Sequence, residues 1–118
     1  MSLIVSPYQR RADGSIEWID LPTPGSDLAG VESTRDTFWV SPTAQALGLT
    51  LVTTLDQTDV WAEGSNLVLL EREIAILIAH LDLFPGQEDY WRIRLANVQT
   101  AIQLAKHVPD NQGGVYIG

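Results

Sequence analysis

His80 and His107 are the only imidazoles in the chain, and there is no cysteine. Disulfides, zinc–thiolate and iron–sulfur sites, thiol nucleophiles and multi-histidine metal centres are therefore excluded. Carboxylates are the abundant chemistry. Asp56, Asp59 and Glu63 flank Trp61, and Asp13, Glu17 and Asp20 cluster on a predicted hairpin. Carboxylates so grouped can hold a divalent cation or act as a general acid–base pair. The calcium-loop spacing is not met, because Thr58 and Val60 stand where the third and fifth ligands belong, and Leu67 stands at the twelfth place. Glu73 and His80 lie on one predicted helical face with Leu77, a spacing that would let them share a metal or a proton. They lack a His-Glu-x-x-His signature, and the simpler reading of His80 is a helix-end residue with a local hydrogen bond. His107 reads as a favourable charge at a helix C-terminus. There is no Gly-x-Ser-x-Gly elbow and no Gly-Lys-Ser/Thr phosphate loop. The chain is thus expected not to be an enzyme, and to carry no cofactor and no metal.

The charge balance says more. Fifteen acids face seven bases, for a net charge of −8 and a pI near 4.4. Such a surface repels phosphate backbones, so no nucleic-acid partner is expected. Residues 1–64 carry nine acids against three bases, a net of −6, and residues 65–118 carry six against four, a net of −2. The negative field is concentrated on the first half. The only basic aromatic spot, Tyr90, Trp91, Arg92 and Arg94, is too small for nucleic acid, and ion pairs with Glu88 or Asp89 would explain it. Four tryptophans are many for 118 residues. Trp91 leads an apolar helical stripe and reads as core, whereas Trp39 or Trp61 is a candidate exposed anchor, since tryptophan is enriched at interface hot spots.

The elements that position these residues can be read from spacing. The predicted fold is α+β in a single domain, 1–118, with a mostly antiparallel sheet of four to six strands and two long helices packed on one face. The sheet comes from residues 3–62 and 115–117. Leu3-Ile4-Val5 opens a strand that Pro7 confines to an edge or a short length. Asp13-Gly14 turns a hairpin into Ile16–Leu21. Residues 22–36 read as a long loop. Thr37–Val40 and Leu49–Leu55 read as strands, separated by a short helix that Ser41-Pro42 opens and Gly48 closes. Val60–Ala62 is a short strand.

Ser65 or Asn66 caps the first long helix, whose face is Leu67, Leu70, Ile74, Leu77, Ile78 and Leu81 and whose apolar surface runs nearly all round, implying burial on more than one side. The second runs from about Glu88 to His107 on Trp91, Leu95, Val98, Ile102 and Ala105. Val115–Ile117 is a last strand tied into the sheet. The opening residues carry no basic stretch followed by an apolar run, and the most apolar segment is interrupted by charge, so no signal peptide and no membrane span are expected and the default compartment is the cytoplasm.

The second half, with an apolar helix ending near Leu83, then Trp91-Arg92-Ile93-Arg94-Leu95-Ala96-Asn97, Ala101-Ile102 and Gly114-Val115-Tyr116-Ile117-Gly118, resembles small bacterial immunity-type proteins of polymorphic toxin systems. The resemblance spans about the last 50 residues and carries no residue roles. It implies a cytoplasmic, non-enzymatic protein that masks a partner toxin. Three functional readings follow from the sequence. The first is a protein-binding module, an immunity-like inhibitor of a basic partner, with Asp13, Glu17, Asp20, Asp56, Asp59, Trp61 and Glu63 as its surface. The second is a small homo-oligomeric structural or accessory protein, with a homodimer through helices or edge strands. The third is a small-ligand protein or enzyme with a carboxylate or His80 pocket.

Overall fold

A computed structural model describes residues 2–23 and 25–118. The fold is α+β, a five-stranded antiparallel sheet with two long helices on one face. The strands are β1 (Ser2–Arg10), β2 (Ile16–Trp18), β3 (Leu28–Val31), β4 (Val60–Glu63) and β5 (Gly113–Ile117). Their order is β2-β1-β5-β4, with β3 also paired to β1. The helices are α1 (Pro42–Ala46), α2 (Ser65–Ala79) and α3 (Glu88–Lys106).

β1 is the longest strand and lies inside the sheet, so Pro7 does not confine it to an edge. Ile4 exchanges both backbone hydrogen bonds with Gly118, and Arg10 N–H donates to the Gln112 carbonyl. Even-numbered residues of β1 therefore face β5, and odd-numbered ones face the other side. There Val5 N–H donates to the Asp27 carbonyl and the Pro7 carbonyl accepts from Ile19 N–H. β3 pairs with Ser2–Ile4 and β2 with Tyr8–Arg10 on that same side. Pro7 stands at the change of partner, where its missing N–H breaks no ladder bond.

α3 lies over β1, β3 and β5, and α2 lies beside β4. Trp91, Leu95, Val98, Ala101, Ile102 and Ala105 of α3 are buried, as are Leu67, Leu70, Ile74 and Leu77 of α2. Each fully buried large apolar side chain contributes about 1.5–3 kcal/mol, so these two stripes against the sheet are the main source of stability. α2 is not buried all round: Val68, Ala75 and Ala79 are exposed and Ile78 is half-buried. Neither Ser65 nor Asn66 caps it; the cap position is Gly64, at φ 60°, without a side-chain bond. The start of β5 meets the last turn of α3 so closely that a Cβ on Gly113 would lie 1.8 Å from the Ala105 carbonyl oxygen. Backbone cannot swing aside as a side chain can. Gly113→Ala is expected to lower unfolding stability by about 2–3 kcal/mol in urea melts, the upper range for overpacking.

Three further sequence expectations in the first half are corrected. The 22–36 segment holds β3. Thr37–Val40 is not a strand: Arg35–Trp39 forms one wide helical turn that buries Phe38 and Trp39. There Phe38 stacks on Trp91 at 3.5 Å between centroids, and Trp39 meets Trp91 edge-on at 5.7 Å. Burial of these rings among helices, rather than on a sheet, overrides the β-propensity of Thr-Phe-Trp-Val. Leu49–Leu55 is not a strand either, but a loop with a 3₁₀ turn at Val52–Thr54. Its donors are taken from another direction. The buried Glu73 carboxylate of α2 accepts from Thr50 N–H at 2.8 Å, Leu51 N–H at 3.1 Å and Val52 N–H at 2.9 Å. Ser41 caps α1 at Ala44 N–H, with Pro42 following and Gly48 closing the turn at φ 81°, as the sequence implied.

Candidate functional site

The sheet has two faces, and the long helices cover one. On the other, alternation brings Tyr8, Trp18, Trp61, Glu63, Tyr116 and Arg10 to the surface side. Register explains their meeting. Trp18, Tyr8, Gly114 and Glu63 stand in one row across β2, β1, β5 and β4, and Ser6, Tyr116 and Trp61 stand in the next. Gly114 leaves a gap that the Tyr8 ring fills: a Cβ there would lie 2.3 Å from Tyr8 Cζ. The phenol thereby crosses β5 and donates to Glu63 Oε1 at 2.8 Å.

The four rings form one cluster. Tyr8 meets Trp18 at 5.9 Å and Trp61 at 5.7 Å, both edge-on, and Trp18 meets Trp61 at 6.0 Å. Tyr116 packs on Trp61 at 4.5 Å and on Trp18 at 5.9 Å. Such pairs contribute about 0.5–1.5 kcal/mol beyond area burial. Tyr8 is fully buried beneath its neighbours, while Trp18 and Trp61 remain 52% and 45% exposed. Two large rings are thus packed against their neighbours and still face solvent.

A Tyr–carboxylate–Arg cluster stands on either side. Glu63 accepts from Tyr8 and from Arg10, whose Nη2 lies 2.7 Å away, while Arg10 Nη1 donates to the Gly14 carbonyl in the β1–β2 turn at 2.8 Å. Asp59 accepts from Tyr116 Oη at 2.7 Å and from Arg35 Nη2 at 2.9 Å. Arg35 also bonds the Leu55 carbonyl and pairs with Glu32. The Arg10 guanidinium, and then the Tyr8 hydroxyl, hold the Glu63 carboxyl below its ordinary range. The Tyr116 hydroxyl and then Arg35 do the same for Asp59. Burial first, and then the adjacent carboxylate, push the Tyr8 and Tyr116 hydroxyls up.

These shifts move every group away from neutral pH, the reverse of what a general acid or base needs. Their linkage has two signs. The depressed carboxylates contribute stability that is full above their unfolded pKa of about 4 and lost as pH falls through the lower folded values. The raised tyrosines contribute stability that is full below about pH 10 and lost as pH rises further. Thermal melts should therefore give a plateau from about pH 5 to 9 with falls at both ends, and Tyr8→Phe with Tyr116→Phe should flatten the alkaline fall. An alkaline fall unchanged in that double variant would refute the assignment.

The acids singled out from sequence divide. Asp59, Trp61 and Glu63 are brought together at the aromatic cluster, but the two acids are compensated there by Arg35 and Arg10 rather than free. Asp13 closes its own turn, accepting from Ser15 N–H and Oγ, whose bonds lower its pKa. Glu17 pairs with Arg11 at 2.6 Å and alternates to the face opposite Trp18. Asp20 lies beyond β2, lining a shallow hollow with Ser6 and Asp27 beside the aromatic rows. Asp56 is exposed in the turn before β4. Trp39 is buried, with Nε1 donating to the Ala29 carbonyl, so Trp61 is the exposed member of that pair.

Trp18, Tyr8, Tyr116 and Arg10 complete the cluster but are not marked by spacing along the sequence. A signal existed in the i, i+2 placement of Tyr8 and Arg10 on a strand opposite a Gly-Gly pair, where glycine leaves room for a ring.

The remaining candidates for chemistry do not converge. His80 Nδ1 donates to the Ile76 carbonyl at 2.8 Å in an exposed position, whereas Glu73 is buried against the 50–52 backbone. His107 Nδ1 donates to the Gln103 carbonyl. Among the described residues no group of three His, Cys, Asp or Glu side chains is placed to hold a metal ion. A cleft of about 190 Å³ between the start of α2 and the end of α3 contains Glu71 and Lys106, which are paired with each other at 3.0 Å. Arg94 lies 4.4 Å over the Tyr90 ring and forms no ion pair with Glu88 or Asp89 among the described residues. No helix among the described residues is long and apolar enough to cross a membrane. No family model, no curated protein and no solved structure matches the chain.

Proposed function

We propose that this chain is a cytoplasmic, non-enzymatic protein-binding module that docks a basic protein on the open face of its sheet, in the manner of an immunity-type inhibitor that masks its target. The observation that carries this reading is the pair Trp18 and Trp61, half exposed on a packed aromatic base and bordered by two arginines. Tryptophan, tyrosine and arginine are the residues most enriched among interface hot spots. A base already packed loses little rotamer freedom on binding, which favours affinity.

Charge supports a basic partner. Arg10, Arg11, Arg35 and Lys106 are engaged in ion pairs, and the net charge is −8. An acidic surface steers a basic partner and accelerates its encounter. Of the surface read from sequence, Trp61 joins Trp18 as the anchor, Asp59 and Glu63 fix it and Asp20 and Asp56 supply field at the margin, whereas Glu17, paired with Arg11 on the opposite face, and Asp13, engaged in its own turn, fall outside it.

The test is a parallel capture from host extract with the wild-type chain and a Trp18→Ala/Trp61→Ala variant, at low and high salt. A stoichiometric basic protein held by the wild type, absent from the variant and released as salt rises is the expected result. Equal retention by both chains would overturn the reading.

A further inference from the structure

β4 is an edge strand, the last in the order β2-β1-β5-β4. Its hydrogen-bonding parity follows from the Ile4–Gly118 exchange, which turns the Gly118 backbone towards β1. Alternation then turns Ile117 and Val115 towards β4, where they oppose Val60 and Ala62. The N–H and C=O groups of Trp61 and Glu63 consequently point out of the sheet.

Exposed edges are normally guarded by shortness, lysine, proline, a bulge, an inward charge or a covering helix or loop, and of these β4 has shortness, at four residues. Val60-Trp61-Ala62-Glu63 has neither lysine nor proline, and its one charge is drawn back over the sheet to Arg10. On the opposite side of the sheet β1 is covered by β2 and β3, which are edge strands in their turn. The open edge adjoins the exposed Trp61 ring, so a strand laid along it would also reach the aromatic cluster.

We infer that β4 receives an extended segment of the partner protein as an added antiparallel strand, with a side chain of that segment seated on Trp61 and basic residues in it facing the acidic margin at Asp56. This rests on the protein-binding reading above and names how that partner is held. Main-chain bonds supply affinity in such additions and alternate side chains supply specificity. Charge selects the occupant: two copies of a chain of net charge −8 repel, whereas a basic segment is attracted.

The test uses the full chain, immobilised at low salt, to select dodecapeptides from a random phage-displayed library. Enriched peptides are then measured by fluorescence anisotropy against the wild type, Glu63→Ala and Glu63→Pro, with circular dichroism confirming that both variants fold alike. Both lose the carboxylate, and only the proline variant also loses the outward N–H. Alternating peptides rich in Lys or Arg are expected, binding Glu63→Pro about tenfold more weakly than Glu63→Ala, the effect of one main-chain bond. Equal affinity for the two variants overturns the strand addition. If those peptides still lose binding to Trp61→Ala, the face is an interface without the edge, and the broader reading survives. A wild-type dimer in sedimentation that Glu63→Pro dissolves assigns the edge to a second copy and overturns the inference. A selection that yields no peptide overturns it as well.

Discussion

Glu73→Ala should lower the unfolding free energy by about 3 kcal/mol, because buried donors left without acceptors cost about 1–3 kcal/mol each and solvent at Thr50 relieves part of that loss. Glu73 is 2% exposed, and its two oxygens serve three successive backbone N–H groups of another segment. Among the described residues no ion pair involves it; backbone N–H groups are its partners, as for an acceptor at a helix N-cap. The carboxylate thus fixes the 49–55 loop against α2, and through it Leu49, Val52 and Leu55, all buried in the core. Glu73→Gln keeps one acceptor oxygen but turns an amide donor towards N–H groups, and about 2 kcal/mol is expected. Chemical denaturation measures both. Natural domains have only about 5–15 kcal/mol in total, so the alanine change should also be visible as a lower melting temperature. A loss under about 1 kcal/mol in Glu73→Ala would contradict this account of the loop.

The double variant Trp18→Ala/Trp61→Ala should weaken partner binding at least a hundredfold, since hot-spot truncations cost about 2 kcal/mol or more each. It should also cost folding about 2.5 kcal/mol or more, because all five ring–ring contacts of the cluster run through Trp18 or Trp61 and each contributes about 0.5–1.5 kcal/mol. The separation matters. A variant that circular dichroism shows still folded at the temperature of the binding assay, but that does not bind, places the loss at the surface. Ile93→Ala on α3 and Val68→Ala on α2, also exposed apolar positions, should leave binding within about twofold of the wild type.

The second half was legible because its physics is local. Trp91, Leu95, Val98 and Ile102 repeat with helical period, and that period survives whatever the helix packs against. The first half is governed by distant partners. Leu49–Leu55 alternates like a strand, but a carboxylate more than twenty residues away in sequence claims its N–H groups. Thr37–Val40 has the composition of a strand and is folded into a helical turn by the stacking of Phe38 on Trp91.

The candidate site was half legible for the same reason. Trp61, Asp59 and Glu63 lie within one short segment, and proximity in sequence exposed them. Trp18, Tyr8 and Tyr116 join them only through strand register, which spacing along one strand does not disclose. Charge counting places the excess of acids in residues 1–64 but does not reveal that Glu63 and Asp59 are compensated, because Arg10 and Arg35 are folded onto them from other elements.

The central claim is that the open sheet face, centred on Trp18 and Trp61, is where a basic protein binds. Titration calorimetry with the purified partner obtained by capture tests it most directly, comparing the wild type with Trp18→Ala/Trp61→Ala and with Val68→Ala/Ile93→Ala at one ionic strength. The account predicts a loss of at least a hundredfold for the sheet-face pair and near-wild-type affinity for the helix-face pair. Near-wild-type affinity in the sheet-face pair, or an equal loss in both, would contradict it.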